Sequence, residues 1–220
     1  MPALVFDLDG VLVDVSQSFR ACIGRTLEAM GGLAVDDSEI LELKLSGGFN
    51  NDWDVTREML RRQGIAAERE RVIEVFSRIY RGASGIGRYE PEGLICRERW
   101  LLPQELLRAL AARQSLGIFT GRPRADAEFT LQRFGAREAI AAIVALEDAA
   151  AKPDPEGLLR LGAEVYIGDT VDDAKCARAA GVRFIGICPP ESELGQLFRA
   201  LDAQFTAASV DVVADRLLAD

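Results

Sequence analysis

The sequence has 220 residues, of which 49% are hydrophobic and 28% are charged. This balance excludes a disordered chain, and the length suits one large α/β domain or a core domain with a smaller insert. The formal net charge of −9 disfavours nucleic acid and anionic membrane surfaces as partners. An anionic ligand would need a metal ion or a local basic cluster at its site.

The chain contains no histidine, and its four cysteines form no Cys-x-x-Cys pair. Without histidine, carboxylates, lysine and hydroxyl groups must carry any catalysis. Widely spaced cysteines favour buried thiols in a reducing compartment. The N-terminal residues lack signal-peptide features and no apolar run is long enough to cross a bilayer, so we expect a cytoplasmic protein.

Short apolar runs that alternate with amphipathic segments predict a parallel β-sheet. Runs rich in Val, Ile and Phe are typical of strands buried on both faces. Their alternation with helices predicts right-handed crossovers and a sheet covered on both sides. Residues 210–218 fit either a strand or a helix. The predicted strands are residues 4–6, 116–119, 143–146, 165–167 and 184–187, and the predicted helices are 104–112, 125–134, 155–161, 172–180 and 191–201.

The segment after the first strand contains helical patterns and no convincing strand. Apolar residues recur at helical spacing within 19–30 and within 72–80, and the glycine-rich stretch 82–87 resembles a linker. This pattern predicts a doubly wound α/β core with an all-helical cap domain inserted after the first strand. The predicted core comprises residues 1–15 and 89–220, and the predicted cap comprises residues 16–88.

Two aspartates follow the first predicted strand. Asp7 and Asp9 are two residues apart, so their side chains point to one face and can converge beyond the strand end. Gly10 then allows a sharp turn. Alone, the pattern fits equally well an Asp-Gly turn that closes a strand.

Hydrogen-bond donors follow two later strands. Thr120, Gly121 and Arg122 offer a hydroxyl, an amide and a guanidinium group, which are the donors that a phosphate oxygen needs. After Lys152, Pro153 and Pro155 fix the backbone and start the next helix. Taken singly, Thr120 could cap a helix and Lys152 could be a solvated charge.

Three acids follow the strand at 165–167. Asp169, Asp172 and Asp173 lie at the start of a predicted helix, whose dipole offsets only part of their mutual repulsion. Bound Mg²⁺ would compensate the rest, although helix capping is the simpler alternative. Because parallel topology gathers the carboxyl ends of the strands at one edge, all these groups are expected to form one site.

The ordered residues Asp7-x-Asp9-Gly10-Val11, Thr120-Gly121, Lys152-Pro153-Asp154-Pro155 and Gly168-Asp169-Thr170-x-x-Asp173 make the sequence similar to the haloacid dehalogenase superfamily. The resemblance covers nearly the whole chain. It implies a Rossmann-like core, and the helical insert resembles the cap of the phosphoglycolate-phosphatase-like branch. The loop 47–53 departs from the pattern of branch members with known substrates, so the resemblance leaves the substrate open.

The chemistry and the resemblance together imply a phosphatase that acts on a small phosphorylated metabolite. Asp7 would be the nucleophile, Asp9 the general acid and base, Thr120 and the next amide the phosphate ligands, and Lys152 the charge-balancing group. The expected Mg²⁺ ligands are Asp7, Asp169 and Asp173 or Asp172, with the main-chain carbonyl of Asp9 implied by the resemblance alone. The expected substrate contacts are Gly121, Arg122, Asn50, Asn51 and Arg88.

Several alternatives stay open at this stage. Capping of a helix that starts at Trp53 is the simpler role for Asn51 and Asp52. A phosphomutase would use the same catalytic residues, and an inactive sensor could keep them. The second acid, Asp9, and the acidic cluster argue against a dehalogenase, and the long insert argues against a signalling receiver domain. The oligomeric state is expected to be a monomer or a homodimer.

Overall fold

The computed structural model describes residues 3–45, 51–82 and 89–219. The chain separates into two compact units, Met1–Asp14 with Trp100–Asp220 and Val15–Arg99. The first unit contains the sheet, and the described part of the second is almost entirely helical. Assignment of these units as catalytic core and cap domain, with the boundaries given above, stays a prediction.

The strands are short, as expected for a sheet that is covered on both faces. The strand β8, at one edge of the sheet, was not predicted from the sequence, because Thr206 interrupts its apolar run. In chain order the strands are β1 (Leu4–Phe6), β2 (Val13–Asp14), β3 (Arg99–Trp100), β4 (Leu116–Phe119), β5 (Ile140–Val144), β6 (Val165–Gly168), β7 (Arg183–Ile187) and β8 (Phe205–Ala207).

Six strands form one parallel sheet in the order β5-β4-β1-β6-β7-β8. The chain order therefore reverses beside β1, which gives the topological switch point of a Rossmann-like doubly wound sheet. This confirms the predicted fold class. All three residues of the central strand β1 have no exposed surface. Phe6 lies level with Ile118 on one side and with Ile167 on the other, so residues just after these positions meet at one edge.

Helices of the first unit connect the strands and cover the sheet. Left-handed glycines end two of them, Gly162 and Gly181, and their amides bond back to the last helical turn. The C-terminal segment that fitted strand or helix is a helix. The helices are α1 (Phe19–Ala29), α2 (Asp37–Leu45), α3 (Asp52–Arg62), α4 (Arg69–Arg81), α5 (Gln104–Arg113), α6 (Arg124–Arg133), α7 (Glu156–Leu161), α8 (Val171–Ala180), α9 (Glu193–Ala200) and α10 (Val210–Ala219).

The second unit packs α1, α3 and α4 around an apolar and aromatic core. Phe19 of α1 stacks on Tyr80 of α4 with ring centroids 4.4 Å apart. Glu98 is buried there because Ser18 and Tyr80 each donate a hydrogen bond of 2.9 Å to its carboxylate. In the part of the chain that the structure describes, no helix has the length and apolar character needed to cross a membrane.

Candidate active site

The carboxyl ends of β1, β4 and β6 bring the predicted catalytic side chains together. The amide of Asp7 donates to Ile167 at 2.8 Å, and that of Thr120 donates to Val144 at 3.0 Å, so both residues extend the hydrogen bonding of their strands. Asp169 follows β6 directly. These positions are fixed by backbone register, which explains why acids distant in sequence meet here.

Lys152 lies at the centre of the site. Its ammonium group is 2.8 Å from Asp7 Oδ1 and 2.7 Å from Asp173 Oδ1, and it donates to the hydroxyl of Tyr166 at 2.8 Å. It also lies 5.2 Å from the centre of the Phe119 ring. The ammonium group is thus held by two carboxylates and a hydroxyl, and its position beside Asp7 is well defined.

Asp173 holds both Lys152 and the loop before α8. Its Oδ1 accepts from Tyr166 at 2.7 Å, and its Oδ2 accepts from the amide and hydroxyl of Thr170 at 3.0 and 2.6 Å. Thr170 in turn caps α8 by accepting from the amide of Asp173, so the pair forms a capping box. Asp173 is therefore engaged by protein donors at both oxygens.

The Asp169 side chain is suited to a cation. Its Oδ1 atom is buried and accepts no hydrogen bond from the residues that the structure describes. One oxygen each from Asp7, Asp169 and Asp173 lie within 4.8 Å of one another. A buried carboxylate oxygen without a donor is costly, and a hard cation that prefers oxygen ligands would compensate it. The residues present therefore fit Mg²⁺.

The charges of the cluster agree with this fit. Burial raises the pKa of Asp7 to about 7, although Lys152 opposes the shift. Burial also raises the pKa of Asp169 well above its ordinary value, and the neighbouring Asp7 adds to the effect. Burial would raise the pKa of Asp173 too, but Lys152 overcomes it and lowers this pKa. For Asp7 and Asp169 the effect of burial thus outweighs the positive charge of Lys152, and a further cation would favour their ionised forms.

Asp9 is held by Arg122 in the same unit. The Arg122 Nε group donates to Asp9 Oδ1 at 2.7 Å, and its Nη2 group donates to the same oxygen. The Arg122 side chain has no exposed surface, whereas that of Asp9 is 32% exposed. The sequence predicted Arg122 as a substrate contact, and the structure gives its guanidinium group this different partner.

The remaining donors lie beside these groups. Thr120 is buried, and its hydroxyl accepts from the amide of Arg122 at 3.1 Å. It does not cap α6, whose N-cap position is Pro123. Gly121 has open space around the position that a β-carbon would take. A hydroxyl and an accessible backbone thus border the carboxylate cluster.

Other predicted residues lie elsewhere. Asn50 and Arg88 fall outside the described residues. Asn51 belongs to the second unit, where its side chain caps α3 by accepting from the amide of Asp54 at 2.9 Å. The helix cap is therefore Asn51 and not Asp52. Asp172 lies 4.0 Å from Lys175 and is not part of the carboxylate cluster, so the structure brings Asp173 and not Asp172 into it.

Sequence reasoning missed the partners of two site residues. Tyr166 was treated only as part of an apolar strand, and the pairing of Arg122 with Asp9 was not foreseen. The signal for Tyr166 was available, since a hydroxyl in a strand buried on both faces needs a hydrogen-bond partner. No comparable signal existed for Arg122, because the direction of a long side chain depends on tertiary packing.

Comparison with known proteins gives the family. The sequence profile of the haloacid dehalogenase-like hydrolases matches residues 1–181. The chain belongs to this family and is thus a hydrolase.

The chain is also similar to two relatives and to one solved structure. The chain is 30% identical over 193 residues to a phosphoglycolate phosphatase from Cereibacter sphaeroides, covering 84% of each protein. It is 36% identical over 204 residues, or 86% of the chain, to an imidazoleglycerol-phosphate dehydratase from Phytophthora nicotianae, but it spans only 44% of that protein. A crystal structure of a predicted phosphoglycolate phosphatase from Haemophilus somnus shares the fold, with a TM-score of 0.76 and 18% identity over 99% of this chain and 98% of that one.

Proposed function

We propose that the protein is a magnesium-dependent phosphatase that hydrolyses a small phosphorylated metabolite through an aspartyl-phosphate on Asp7. The observation that carries the proposal is the buried Oδ1 of Asp169, which accepts no hydrogen bond from the described residues and lies within a carboxylate cluster that also contains Asp7. Membership of a hydrolase family and a phosphatase relative over most of the chain support the reaction class.

In the first step Asp7 attacks the phosphorus of the monoester in line. Lys152 forms an ion pair with Oδ1 of Asp7, and Oδ2 is the proposed attacking oxygen. A bond forms from Asp7 to phosphorus as the bond to the leaving oxygen breaks, and Asp9 gives that oxygen its proton. General acid catalysis of this kind contributes about 10²–10⁴-fold in rate.

In the second step water restores the enzyme. Asp9, now deprotonated, takes a proton from the water while the water oxygen attacks phosphorus. The bond between Asp7 and phosphorus breaks, and inorganic phosphate is released. The Thr120 hydroxyl and the following amide hold phosphate oxygens in both steps, and Lys152 offsets the negative charge on Asp7. One active site thereby divides a difficult displacement into two easier ones.

The residues proposed to hold Mg²⁺ are Asp7, Asp169 and the main-chain carbonyl of Asp9, with Asp173 in reach directly or through water. A bound divalent cation supplies positive charge that offsets the repulsion between a carboxylate nucleophile and a phosphate.

The proposal is tested by the release of inorganic phosphate from a panel of phosphate monoesters with and without Mg²⁺. Phosphoglycolate and imidazoleglycerol phosphate belong in the panel because relatives are named for them. Asp7→Asn is the matched variant, and we expect it to fold, to bind Mg²⁺ more weakly and to lose turnover. Full activity in this variant would eliminate Asp7 as the nucleophile.

The panel also separates the alternatives. A phosphomutase would convert a phosphosugar to its isomer with little release of phosphate. A sensor would bind Mg²⁺ and phosphate without turnover of any panel member. Size-exclusion chromatography of the same preparation tests the expectation of a monomer or homodimer, and a cytoplasmic location stays a prediction.

The helical unit is proposed to act as a cap that selects the leaving group, as mobile lids do. Gly121, Asn50, Asn51 and Arg88 are the proposed substrate contacts. Asn51→Ser tests the cap contact, because serine still caps α3 but lacks the amide, which also donates to Asp54 at 2.5 Å. A raised KM with unchanged kcat and stability supports the contact, and unchanged kinetics removes it.

A further inference from the structure

The buried guanidinium group of Arg122 has a geometry that bears on proton transfer. Two of its N–H groups, on Nε and Nη2, converge on Oδ1 of Asp9. On the other side, Nη1 donates to the hydroxyl of Thr130 in α6 at 2.9 Å. The guanidinium group is therefore fixed at both ends, and it connects α6 of the core to the loop that carries Asp9.

The same loop is fixed through its backbone. The amide of Gly10 donates to Val13 at 2.9 Å, and the amide of Leu12 donates to Leu8 at 3.0 Å. Backbone bonds set the position of the Asp9 α-carbon, but they do not set the rotation of its side chain. Arg122 supplies that constraint, since two charged donors fix the position of Oδ1, and with the backbone already set this restricts the rotation of the side chain.

Stability alone does not account for a fully buried arginine here. Removing a guanidinium group from water is costly, and an apolar side chain of similar volume often stabilises such a position as well or better. Its partner Asp9 is partly exposed and could be hydrated without it. The ion pair between Arg122 and Asp9 is therefore better explained by a role of Arg122 in the orientation of the Asp9 carboxylate.

We propose that Arg122 is a positioning residue, which holds Oδ1 of Asp9 so that Oδ2 faces the oxygen that gains or loses the proton. This inference rests on the proposed function. Arg122 acts through Asp9 and does not contact the substrate, so its loss impairs proton transfer and leaves phosphate binding intact. In the first step the proton passes from Asp9 to the leaving oxygen, and in the second step a proton returns from water to Asp9.

The test compares two leaving groups in single turnovers of the full chain. With the best alkyl phosphate of the panel, Arg122→Met should slow formation of the aspartyl-phosphate by roughly 10–100-fold, part of the range for general acid catalysis. With p-nitrophenyl phosphate, whose leaving group needs no proton, the same step should change less than about 3-fold, since it lacks that contribution. Affinity for inorganic phosphate should be unchanged.

A double-mutant cycle shows whether Arg122 acts through Asp9. In the Asp9→Asn background, Arg122→Met should add less than about 3-fold to the loss, because the shared contribution is already gone. Thr130→Val keeps the guanidinium group but removes the hydroxyl to which its Nη1 group donates. It should therefore slow the reaction of the alkyl phosphate as Arg122→Met does, but by a smaller factor. Arg124→Met is the matched control, because Arg124 pairs with Asp148.

Each result decides the question. Equal losses with both leaving groups, a full additional loss in the Asp9→Asn background, or weaker binding of inorganic phosphate would overturn the positioning role. A wild-type protein that forms no aspartyl-phosphate from either compound would overturn the proposed function instead, and this inference with it. If Arg122→Met does not fold, Thr130→Val is compared with the wild type on the same two substrates. If the ratio of the alkyl phosphate rate to the p-nitrophenyl phosphate rate is then unchanged, the proposal is overturned.

Discussion

The side chain of Asp169 fills the space that a β-carbon on Gly10 would need. An ideal β-carbon there would lie 2.6 Å from Asp169 Cγ and still closer to Oδ2, and Gly10 has a φ of 73°. Only glycine suits both the left-handed backbone and the close approach. We expect Gly10→Ala to displace Asp169, to lower kcat by about 100-fold or more and to cost roughly 1–3 kcal/mol in the free energy of unfolding.

Steady-state kinetics and urea denaturation measure these two effects. Gly135→Ala is the control, because that glycine also has a positive φ of 66° but has open space around its β-carbon position. Gly135→Ala should be destabilised and yet keep its kcat. Equal kcat values for the two variants would show that contact with Asp169 is unimportant.

Asp169→Asn should remove the response to Mg²⁺. At a concentration 100 times the dissociation constant, binding should raise the free energy of unfolding of the wild type by about 2.7 kcal/mol. The variant lacks the carboxylate with the unpaired buried oxygen, so its stability should not change with Mg²⁺. Thermal denaturation with and without EDTA gives both values.

Asp172→Asn is the matched control for this experiment. It carries the same change in charge three positions further along the chain. The Asp172 side chain lies near Lys175 and outside the carboxylate cluster. We expect it to keep the Mg²⁺ response of the wild type. A lost response in this control alone would assign the metal to Asp172.

Much of the candidate site follows from the sequence, because it depends on topology. Asp7, Thr120 and Asp169 each follow a short apolar run, and a parallel sheet must bring such positions to one edge. The register of β1 with β4 and β6 then sets their proximity without help from side chains. The sheet itself was predicted for the same reason, from apolar runs and the helices between them.

What the sequence did not predict depends on side-chain direction and on near-equivalent residues. The contact of Arg122 with Asp9 requires a particular path through the core, past Thr130 on α6. The sequence left Asn51 and Asp52 both open as the cap of α3, since Asn and Asp cap helices about equally well, and the structure uses Asn51. The two roles of Asp173, in the capping box and beside Lys152, both require atomic distances.

The stability of the metal-free protein should depend on the protonation of Asp7. Burial raises the pKa of Asp7 to about 7, against about 3.9 in an unfolded chain. The folded state therefore holds a proton that the unfolded chain releases. The stabilising contribution of this group is fully present below about pH 4 and is lost as the pH rises through about 7.

Asp7→Asn has no proton to release at this position, so the comparison removes the contribution of Asp7 together with its effect on Asp169. The free energy of unfolding of the wild type, relative to the variant, should fall between about pH 4 and pH 7 by at most about 1.4 kcal/mol per pH unit. Urea denaturation in EDTA across this range measures the difference. A difference that rises with pH would contradict the sign of the shift.

Asp173→Asn should weaken both the hold on Lys152 and the start of α8. The Asp173 oxygens accept from Lys152 and Tyr166 on one side and from Thr170 on the other. An amide must present its NH₂ group to one of these sets of donors, whichever way it turns. Because Lys152 also loses a charged partner in a buried site, we expect a loss of about 3–5 kcal/mol in the free energy of unfolding and a large drop in kcat.

Tyr166→Phe provides the graded comparison for this prediction. It removes one donor to Asp173 and one acceptor for Lys152, but the ion pairs of Lys152 with Asp7 and Asp173 stay in place. The expected cost is about 1–3 kcal/mol, with a smaller loss of kcat than in Asp173→Asn. Urea denaturation and initial rates rank the two variants. If Tyr166→Phe proved the more damaging, the charge of Asp173 would not be what holds Lys152 beside the nucleophile.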